Sequence, residues 1–211
     1  MSTYDLKFDK KAFKLFLSNA GISENVLFAS VFAYTLSQFV NGDKVLFTMI
    51  ENGRDRFNEN FIGMTSNVMP VVIDCKNQNI NSYIDDVADI VYGVLRHSYY
   101  PTLLLYQKYD FEIRILFQYV PNWIADDFDA LGNIDDIGAG EIINNVLNNF
   151  SDFLTEFFVQ VYQNSDDYSL LISHSNKYSD RMINDFKDAF ISILSNIINA
   201  SGTSDLSGIL K

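Results

Sequence analysis

The chain contains little cysteine, proline and glycine, and each shortage excludes a class of protein. Its 211 residues include one cysteine, Cys75, so no disulfide can form within the chain. That usage is typical of the reducing cytoplasm, where we expect the protein to reside. Three prolines and ten glycines are too few for a linker-rich or collagen-like chain. The first residues predict no secretory signal, and no uncharged apolar run of about 18 residues predicts a membrane span.

Basic residues are also scarce, with 15 Lys and Arg against 27 Asp and Glu, which gives a formal net charge of −12. Because nucleic-acid affinity comes mainly from Lys and Arg that displace counterions, nucleic acid is not expected as a partner. Anionic membrane surfaces are disfavoured for the same reason. Apolar residues, in contrast, make up 48% of the chain and aromatic residues 15%. This composition predicts a folded domain with a hydrophobic core.

The sequence also lacks the usual signatures of catalytic and metal sites. It has no Gly-x-Ser-x-Gly elbow and no glycine-rich phosphate loop. Cys75 ends an apolar strand and is predicted to be a buried thiol. The two histidines are predicted to lie at a helix C-terminus (His97) and in a packed strand (His174), and they form no metal-binding pair. The acidic residues between 126 and 136 match no calcium loop. The residues alone therefore predict no complete active site, no metal and no intrinsic cofactor.

Hydrophobic periodicity and turn residues predict the secondary structure. Strands are predicted at 4–8, 44–50, 68–74, 112–120, 153–163 and 168–176. Helices are predicted after the caps Asp9, Ser23 and Ser179, and at 82–96 and 102–109. The strand at 44–50 is expected to be buried on both faces, and Pro70 predicts an edge, a bulge or an irregular start for the next strand. Residues 121–149 are predicted to be mostly loop, and the tail from 201 to be frayed.

This order of elements predicts an α/β fold. We expect a two-layer sandwich in which helices pack on a mixed sheet, because helices fall among the strands and a hairpin and a long helix end the chain. The absence of a repeat or an internal linker predicts a single domain over residues 1–211.

Five segments, in order, resemble the second half of nonribosomal peptide synthetase condensation domains. They are the apolar helix at 28–39 with Gly42; the strand at 45–50 with the loop Gly53-Arg54-Asp55-Arg56, similar to a GRxR motif; residues 62–70, similar to IGxFVNTLP; residues 97–101, similar to HQDYPF; and residues 114–119, similar to PLFQVMFNY. The chain departs from the third motif at Thr65, Ser66 and Val68, where the family has Phe, Val and Thr. The predicted hairpin and long helix at the end of the chain also resemble the C-terminal part of these domains.

The resemblance implies one lobe of a chloramphenicol acetyltransferase-like fold, in which two similar lobes meet around a channel. The family joins an acyl or peptidyl thioester donor to an aminoacyl acceptor by forming an amide bond. Both substrates are presented on the phosphopantetheine of carrier proteins. The catalytic HHxxxDG motif belongs to the N-terminal lobe and does not occur in this sequence. We therefore expect a C-terminal lobe without the N-terminal catalytic lobe, assign no catalytic residue, and expect this lobe alone to be inactive.

The resemblance also implies candidate site residues. Arg54, with Arg56 second, would pair with the Asp of the catalytic motif, because a guanidinium grips a carboxylate through two parallel hydrogen bonds. The alternative is that Arg54 and Arg56 are solvated charges in a loop. Asn67 would line or brace the channel, although a hydrogen bond at a strand start explains it equally well, and His97 belongs to the fourth motif. Residues 51–60 resemble the channel floor, and part of 121–149 resembles a segment that latches onto the other lobe.

The expected partners are the N-terminal lobe and peptidyl or acyl carrier proteins. The rival hypothesis is a non-catalytic lobe that docks carrier proteins or serves as a scaffold. Under either hypothesis an exposed apolar lobe face favours self-association. A third hypothesis is a lobe of another acyltransferase that uses coenzyme A or carrier thioesters, and the motifs at 62–67 and 97–101 argue against it.

Overall fold

Six strands form one mixed sheet over the residues that the computed structural model describes, which are 2–51, 66–76, 78–109, 112, 114–121, 155–164, 167–200 and 204–208. The strands are β1 (Ser2–Leu6), β2 (Lys44–Glu51), β3 (Asn67–Asp74), β4 (Ile115–Val120), β5 (Phe157–Asn164) and β6 (Asp167–His174). The helices are α1 (Lys10–Ala20), α2 (Glu24–Val40), α3 (Ile80–Arg96), α4 (Thr102–Tyr109) and α5 (Asp180–Asn199), and a short 3₁₀ helix follows at Leu206–Gly208.

The strands lie in the order β1-β6-β5-β4-β2-β3. The pairs β2–β4 and β4–β5 are parallel, and the other three pairs are antiparallel. β3 is an edge strand, which confirms the interpretation of Pro70, since proline cannot donate to a second neighbouring strand. The antiparallel β5–β6 hairpin is also confirmed. The predicted α/β class, a mixed sheet with helices packed on it, is therefore correct.

Local capping chemistry fixes the helix ends where the sequence predicts them. The Asp9 carboxylate accepts two backbone N–H bonds at the start of α1, at 2.8 and 3.1 Å. Ser23 and Ser179 each accept one at 3.3 Å and thereby cap α2 and α5. α1 ends at Gly21, with a φ of 64°, and α2 ends at Asn41, with a φ of 50°. These are left-handed conformations that glycine and asparagine tolerate best.

Helix α2 lies at the centre of the hydrophobic core. Its residues 26–37 are all buried. The Phe32 ring stacks on Phe117 of β4, with centroids 4.9 Å apart, and meets Phe47 of β2 edge-on at 5.0 Å. These contacts fix α2 across the parallel strands of the sheet. Within the described ranges no single helix is long and apolar enough to cross a membrane, although α1 and α2 meet that criterion as a pair bent by 100°.

The expectation that β2 is buried on both faces holds at Thr48, which is 2% exposed, and is wrong at Leu46, two residues earlier on the same face. Val45 and Phe47 are buried against the helices, whereas Leu46 is 43% exposed. Val72 of β3 lies opposite Leu46 in the register and is 53% exposed. Successive side chains in a strand point to opposite faces, so these two belong to the face away from the helices. That face is open at this edge, which a continuous apolar run in the sequence does not reveal.

The expectation of a frayed tail is also wrong where the tail is described. Leu206 is fully buried. Its carbonyl accepts a hydrogen bond from the Tyr34 hydroxyl at 2.9 Å, and the backbone N–H of Ile80 donates to the Ser204 carbonyl at 2.9 Å. The tail therefore closes the core beside α2 and α3. A short segment has too few residues for a hydrophobic period, so the pattern could not predict it.

Helix α3 begins two residues earlier than predicted. Asn79 caps it by accepting a bond from the backbone N–H of Ser82 at 2.9 Å. The two added residues include Ile80, which is fully buried in the core.

Candidate functional site

Asn67 connects the edge of the sheet to the turn between α3 and α4. Its side-chain amide donates to the carbonyls of Ser98 at 2.7 Å and Tyr100 at 2.8 Å. Its amide oxygen lies 2.6 Å from the hydroxyl of Thr102, which is 6% exposed. The segments 62–70 and 97–101, which resemble two separate family motifs, therefore meet at this one side chain. The hydrogen bond at a strand start, one of the two interpretations of Asn67, is present, and a role in lining or bracing the channel stays a prediction.

Thr102 completes this junction. Its hydroxyl lies 2.6 Å from both the Asn67 amide oxygen and the Val68 carbonyl. Because a hydroxyl carries one proton, it can donate to only one of these acceptors at a time. Pro101 precedes α4, where a missing N–H has no cost. The junction thus fixes the first turn of α4 against β3.

His97 caps the C-terminus of α3, as predicted. Its backbone N–H donates to Val94 at 3.0 Å, and its carbonyl accepts from Tyr100 at 2.9 Å. The residue as a whole is exposed. The structure therefore assigns a capping role to its backbone, and a channel role for its imidazole stays a prediction.

The interpretations of Cys75 and His174 are confirmed. Cys75 is 7% exposed, and its sulfur lies 3.5 Å from the Ala33 carbonyl and 3.9 Å from the Tyr83 hydroxyl. Burial raises the pKa of the Cys75 thiol to about 11, so it stays protonated and unreactive at neutral pH. His174 is half-buried in β6, with Nδ1 3.1 Å from the Ser175 carbonyl.

The predicted loop arginines belong to the segment between β2 and β3. Outside the described residues lie Arg54 and Arg56. The same holds for all but Glu51 of the predicted channel floor at 51–60, and for all but Pro121 of the stretch at 121–149 that includes the predicted latch and the acidic residues 126–136. Their roles stay predictions.

A carboxylate shared by two phenols lies at the N-terminus of α2. Glu24 accepts a hydrogen bond from the Tyr168 hydroxyl of β6 at 2.8 Å and a second from the Tyr119 hydroxyl of β4. Burial first, and then the neighbouring Glu24, raise the pKa of Tyr119 far above its usual value. Tyr119 therefore remains a hydrogen-bond donor at any ordinary pH. Sequence analysis missed this cluster, because its members are far apart in the chain and each is unremarkable locally.

A cavity of about 450 Å³ opens beside this cluster. It is lined by the first turn of α2 and by the carboxyl ends of β2, β4 and β5, including Glu24, Glu51, Gln118 and Gln163. Ligands in α/β sheets bind outside the carboxyl ends of the strands, so this end of the sheet is the candidate substrate-facing surface. Its carboxylates and amides can accept and donate hydrogen bonds to a polar substrate.

A family model described as the condensation domain matches residues 2–205 of the chain. The chain belongs to the condensation domain family. The resemblance carried by the five sequence segments is thereby confirmed at the level of the family. No curated protein sequence matches the chain significantly.

Solved condensation domains share the fold. The chain is similar to the first condensation domain of the CDA synthetase, with a TM-score of 0.70 at 11% identity, over 96% of this chain and 46% of that one. The condensation domain of the Monacolin K polyketide synthase MokA gives a TM-score of 0.71 at 13% identity, over 97% and 48%. PapA2 acyl transferase gives 0.67 at 8% identity, over 94% and 44%. The chain therefore spans just under half the length of these structures.

Proposed function

We propose that the chain is the C-terminal, substrate-channel lobe of a nonribosomal peptide synthetase condensation domain. Two observations support this. The chain matches the family over 2–205 while spanning about half of its solved neighbours. Asn67 joins the two segments that resemble the third and fourth family motifs, with both donor bonds shorter than 3 Å. A junction that unites separate family motifs is expected in a functional lobe.

The complete domain would join two thioesters by aminolysis. The amine nitrogen of an aminoacyl acceptor attacks the carbonyl carbon of the donor, the C–N bond forms and the C–S bond breaks. The donor arm leaves as a thiol, and the amine loses one proton. The thioester supplies the driving force, so the reaction needs no nucleotide or metal. Both substrates would be held on phosphopantetheine arms of carrier proteins.

The role proposed for this lobe is orientation and not proton transfer. The sequence contains no HHxxxDG motif, so the group that handles the proton is assigned to the other lobe. Holding two reactants in place contributes much of the rate in such reactions. Glu51 and Asn67 lie opposite each other in the β2–β3 register. Residues 52–65 belong to the segment that connects these two strands. Arg54 lies in this connection, and we propose that it pairs with the Asp of the other lobe, with Arg56 as the second candidate.

The test starts with the coding sequence upstream of Met1, over about 200 codons, the length of a second lobe of this size. An in-frame HHxxxDG motif is expected, and the protein carrying both lobes should form an amide from carrier-bound donor and acceptor thioesters. The 211-residue chain alone should form none under the same conditions. A stop codon or an unrelated domain upstream, or equal activity of the chain alone, would contradict the proposal.

The non-catalytic lobe is the second candidate, and one observation favours it. Leu46 and Val72 lie opposite each other on the open face of the sheet and are 43% and 53% exposed. Exposed apolar faces favour association, including self-association. A chain that dimerises in sedimentation experiments, and that supports no amide formation when an N-terminal lobe is supplied, would favour this scaffold over the catalytic proposal.

A further inference from the structure

We propose that the surface formed by residues 96–109, at the end of α3 and along α4, docks an acidic protein partner. The contact face of this partner would carry apolar side chains surrounded by carboxylates. The inference goes beyond the proposed function, and it rests on the exposure, charge and fixed geometry of this surface. We call residues 96–109 the α4 surface.

The α4 surface exposes five large apolar side chains within eleven positions of the chain, 99–109. The exposed fractions are 69% for Tyr99, 46% for Tyr100, 73% for Leu103, 47% for Leu104 and 62% for Tyr109. Single exposed apolar residues are ordinary, whereas a cluster of them marks an interaction surface. Tyrosine is also enriched at protein interfaces. The cluster therefore calls for a partner with apolar side chains of its own.

The charge of the α4 surface indicates which partner fits. Residues 96–109 include Arg96 and Lys108 but no Asp or Glu, in a chain that contains 27 acidic residues. Lys108 holds its ammonium 5.0 Å from the centre of the Tyr109 ring, so the cation sits beside the exposed aromatic group. Carboxylates on a partner would complement these cations and steer its approach.

Two other occupants fit less well. A second copy that docked through the same surface would bring Arg96 and Lys108 against the same cations, which is unfavourable in a two-fold interface. An anionic membrane would attract the cations of the α4 surface but repel a chain with a net charge of −12. An acidic protein face satisfies the local charge and the apolar cluster together.

The α4 surface is also held in shape before any partner binds. Asn67 fixes the turn through the Ser98 and Tyr100 carbonyls, at 2.7 and 2.8 Å. Thr102 fixes the first turn of α4 through its hydroxyl, 2.6 Å from the Val68 carbonyl. A preformed surface loses little conformational entropy on binding, which favours affinity.

The test uses the full chain and a fluorescent, helical peptide of Leu and Glu as the acidic apolar probe. We expect saturable binding by fluorescence anisotropy, with amide chemical-shift changes confined to residues 96–109 and their neighbours. Lys108→Glu and Leu103→Ser should each weaken binding by roughly tenfold, the scale of one lost interface contact. Both positions are exposed, so circular dichroism should show an unchanged fold.

Matched substitutions on α1 serve as controls. Lys11→Glu makes the same charge change at another exposed lysine, and Leu15→Ser removes a leucine that is 61% exposed. Each should change the affinity by less than about twofold, since α1 lies outside the proposed surface. Absent binding, equal losses in the α1 variants, or equal binding of a Leu and Lys peptide would overturn the proposal. Binding of phosphatidylserine vesicles that Lys108→Glu abolishes would overturn it in favour of a membrane.

Discussion

The Glu24 carboxylate accepts a hydrogen bond from the Tyr168 hydroxyl at 2.8 Å, across 144 positions of sequence. This bond, with the one from Tyr119, ties the first turn of α2 to β4 and β6. Because α2 is the central helix of the core, the cluster fixes the wall of the cavity at the carboxyl ends of the parallel strands.

Removal of the shared acceptor should destabilise the fold. Glu24→Ala takes the hydrogen-bond acceptor away from two partly or fully buried phenols, so we expect a loss of about 2 kcal/mol in the free energy of unfolding. Urea denaturation measures it, and a double-mutant cycle with Tyr168→Phe isolates the pair. The control is Glu112→Ala, at a side chain that is 71% exposed, which should stay within about 0.5 kcal/mol. Equal denaturation midpoints for Glu24→Ala and the control would contradict the assignment.

Asn67 should act through its amide donors. Asn67→Asp keeps the acceptor for Thr102 but places a carboxylate beside the Ser98 and Tyr100 carbonyls, so it should lose at least about 1 kcal/mol of stability. Thr102→Ser, which keeps the hydroxyl, is the conservative comparison and should lose less. The rate of amide formation by the two-lobe protein should also fall more in Asn67→Asp than in Thr102→Ser. An Asn67→Asp protein as stable as the parent would show that the two donor bonds contribute nothing.

Low pH should abolish the contribution of the Glu156 carboxylate to the stability of the fold. The hydrogen bond from Lys177 lowers the pKa of Glu156 below its ordinary value of 4.5. Because the pKa of Glu156 is lower in the folded state than in the unfolded state, its ionised form stabilises the fold. This contribution is fully present above the unfolded-state pKa and is lost as the pH falls through the folded-state pKa. The stability difference between the parent and Glu156→Gln should therefore be largest at neutral pH, shrink as the pH falls below 4.5, and disappear once the pH is below the lowered pKa of Glu156. A difference that persists at low pH would assign the effect to packing instead.

The Cys75 thiol should resist alkylation. Burial raises its pKa to about 11, so at pH 8 the folded protein contains almost no thiolate. We expect iodoacetamide to modify it only at the rate of unfolding, and denaturant to release the reaction. Leu15→Cys in a Cys75→Ala background provides an exposed thiol that should react at once. Rapid modification of Cys75 in the folded chain would contradict its buried position.

Arg54 should matter only in a protein with both lobes. If it pairs with the Asp of the catalytic motif, Arg54→Ala should lower the rate of amide formation by roughly tenfold or more, and Arg54→Lys should restore part of it. Arg181→Ala is the matched control, at a side chain that is 92% exposed on α5. A rate unaffected by Arg54→Ala but reduced by Arg56→Ala would transfer the role to the second arginine.

Features that depend on neighbouring residues could be predicted from the sequence. The caps at Asp9, Ser23 and Ser179 stand next to the helices they begin, so their chemistry is visible in a short window. Pro70 limits β3 to an edge, a bulge or an irregular start, and the edge position is the one found. In contrast, Leu206 enters the core through contacts with Tyr34, 172 positions away, and no local pattern encodes that distance.

The residues of the candidate site also differ in how far the sequence predicts them. Resemblance to the family identified Asn67, but only the structure shows which carbonyls it binds. The Glu24 cluster had no signal in the sequence, because a glutamate in the first turn of a helix is already explained by the helix dipole.

The pairing of the first strand with the last sets when the fold can be completed. β1 (Ser2–Leu6) has β6 (Asp167–His174) as its neighbour, and Tyr4 lies opposite Leu170. At ordinary synthesis rates, about 10 to 30 s separate the emergence of these two residues from the ribosome. Throughout that interval β1 lacks the strand it pairs with in the described sheet, so this edge of the sheet can form only after β6 has been synthesised.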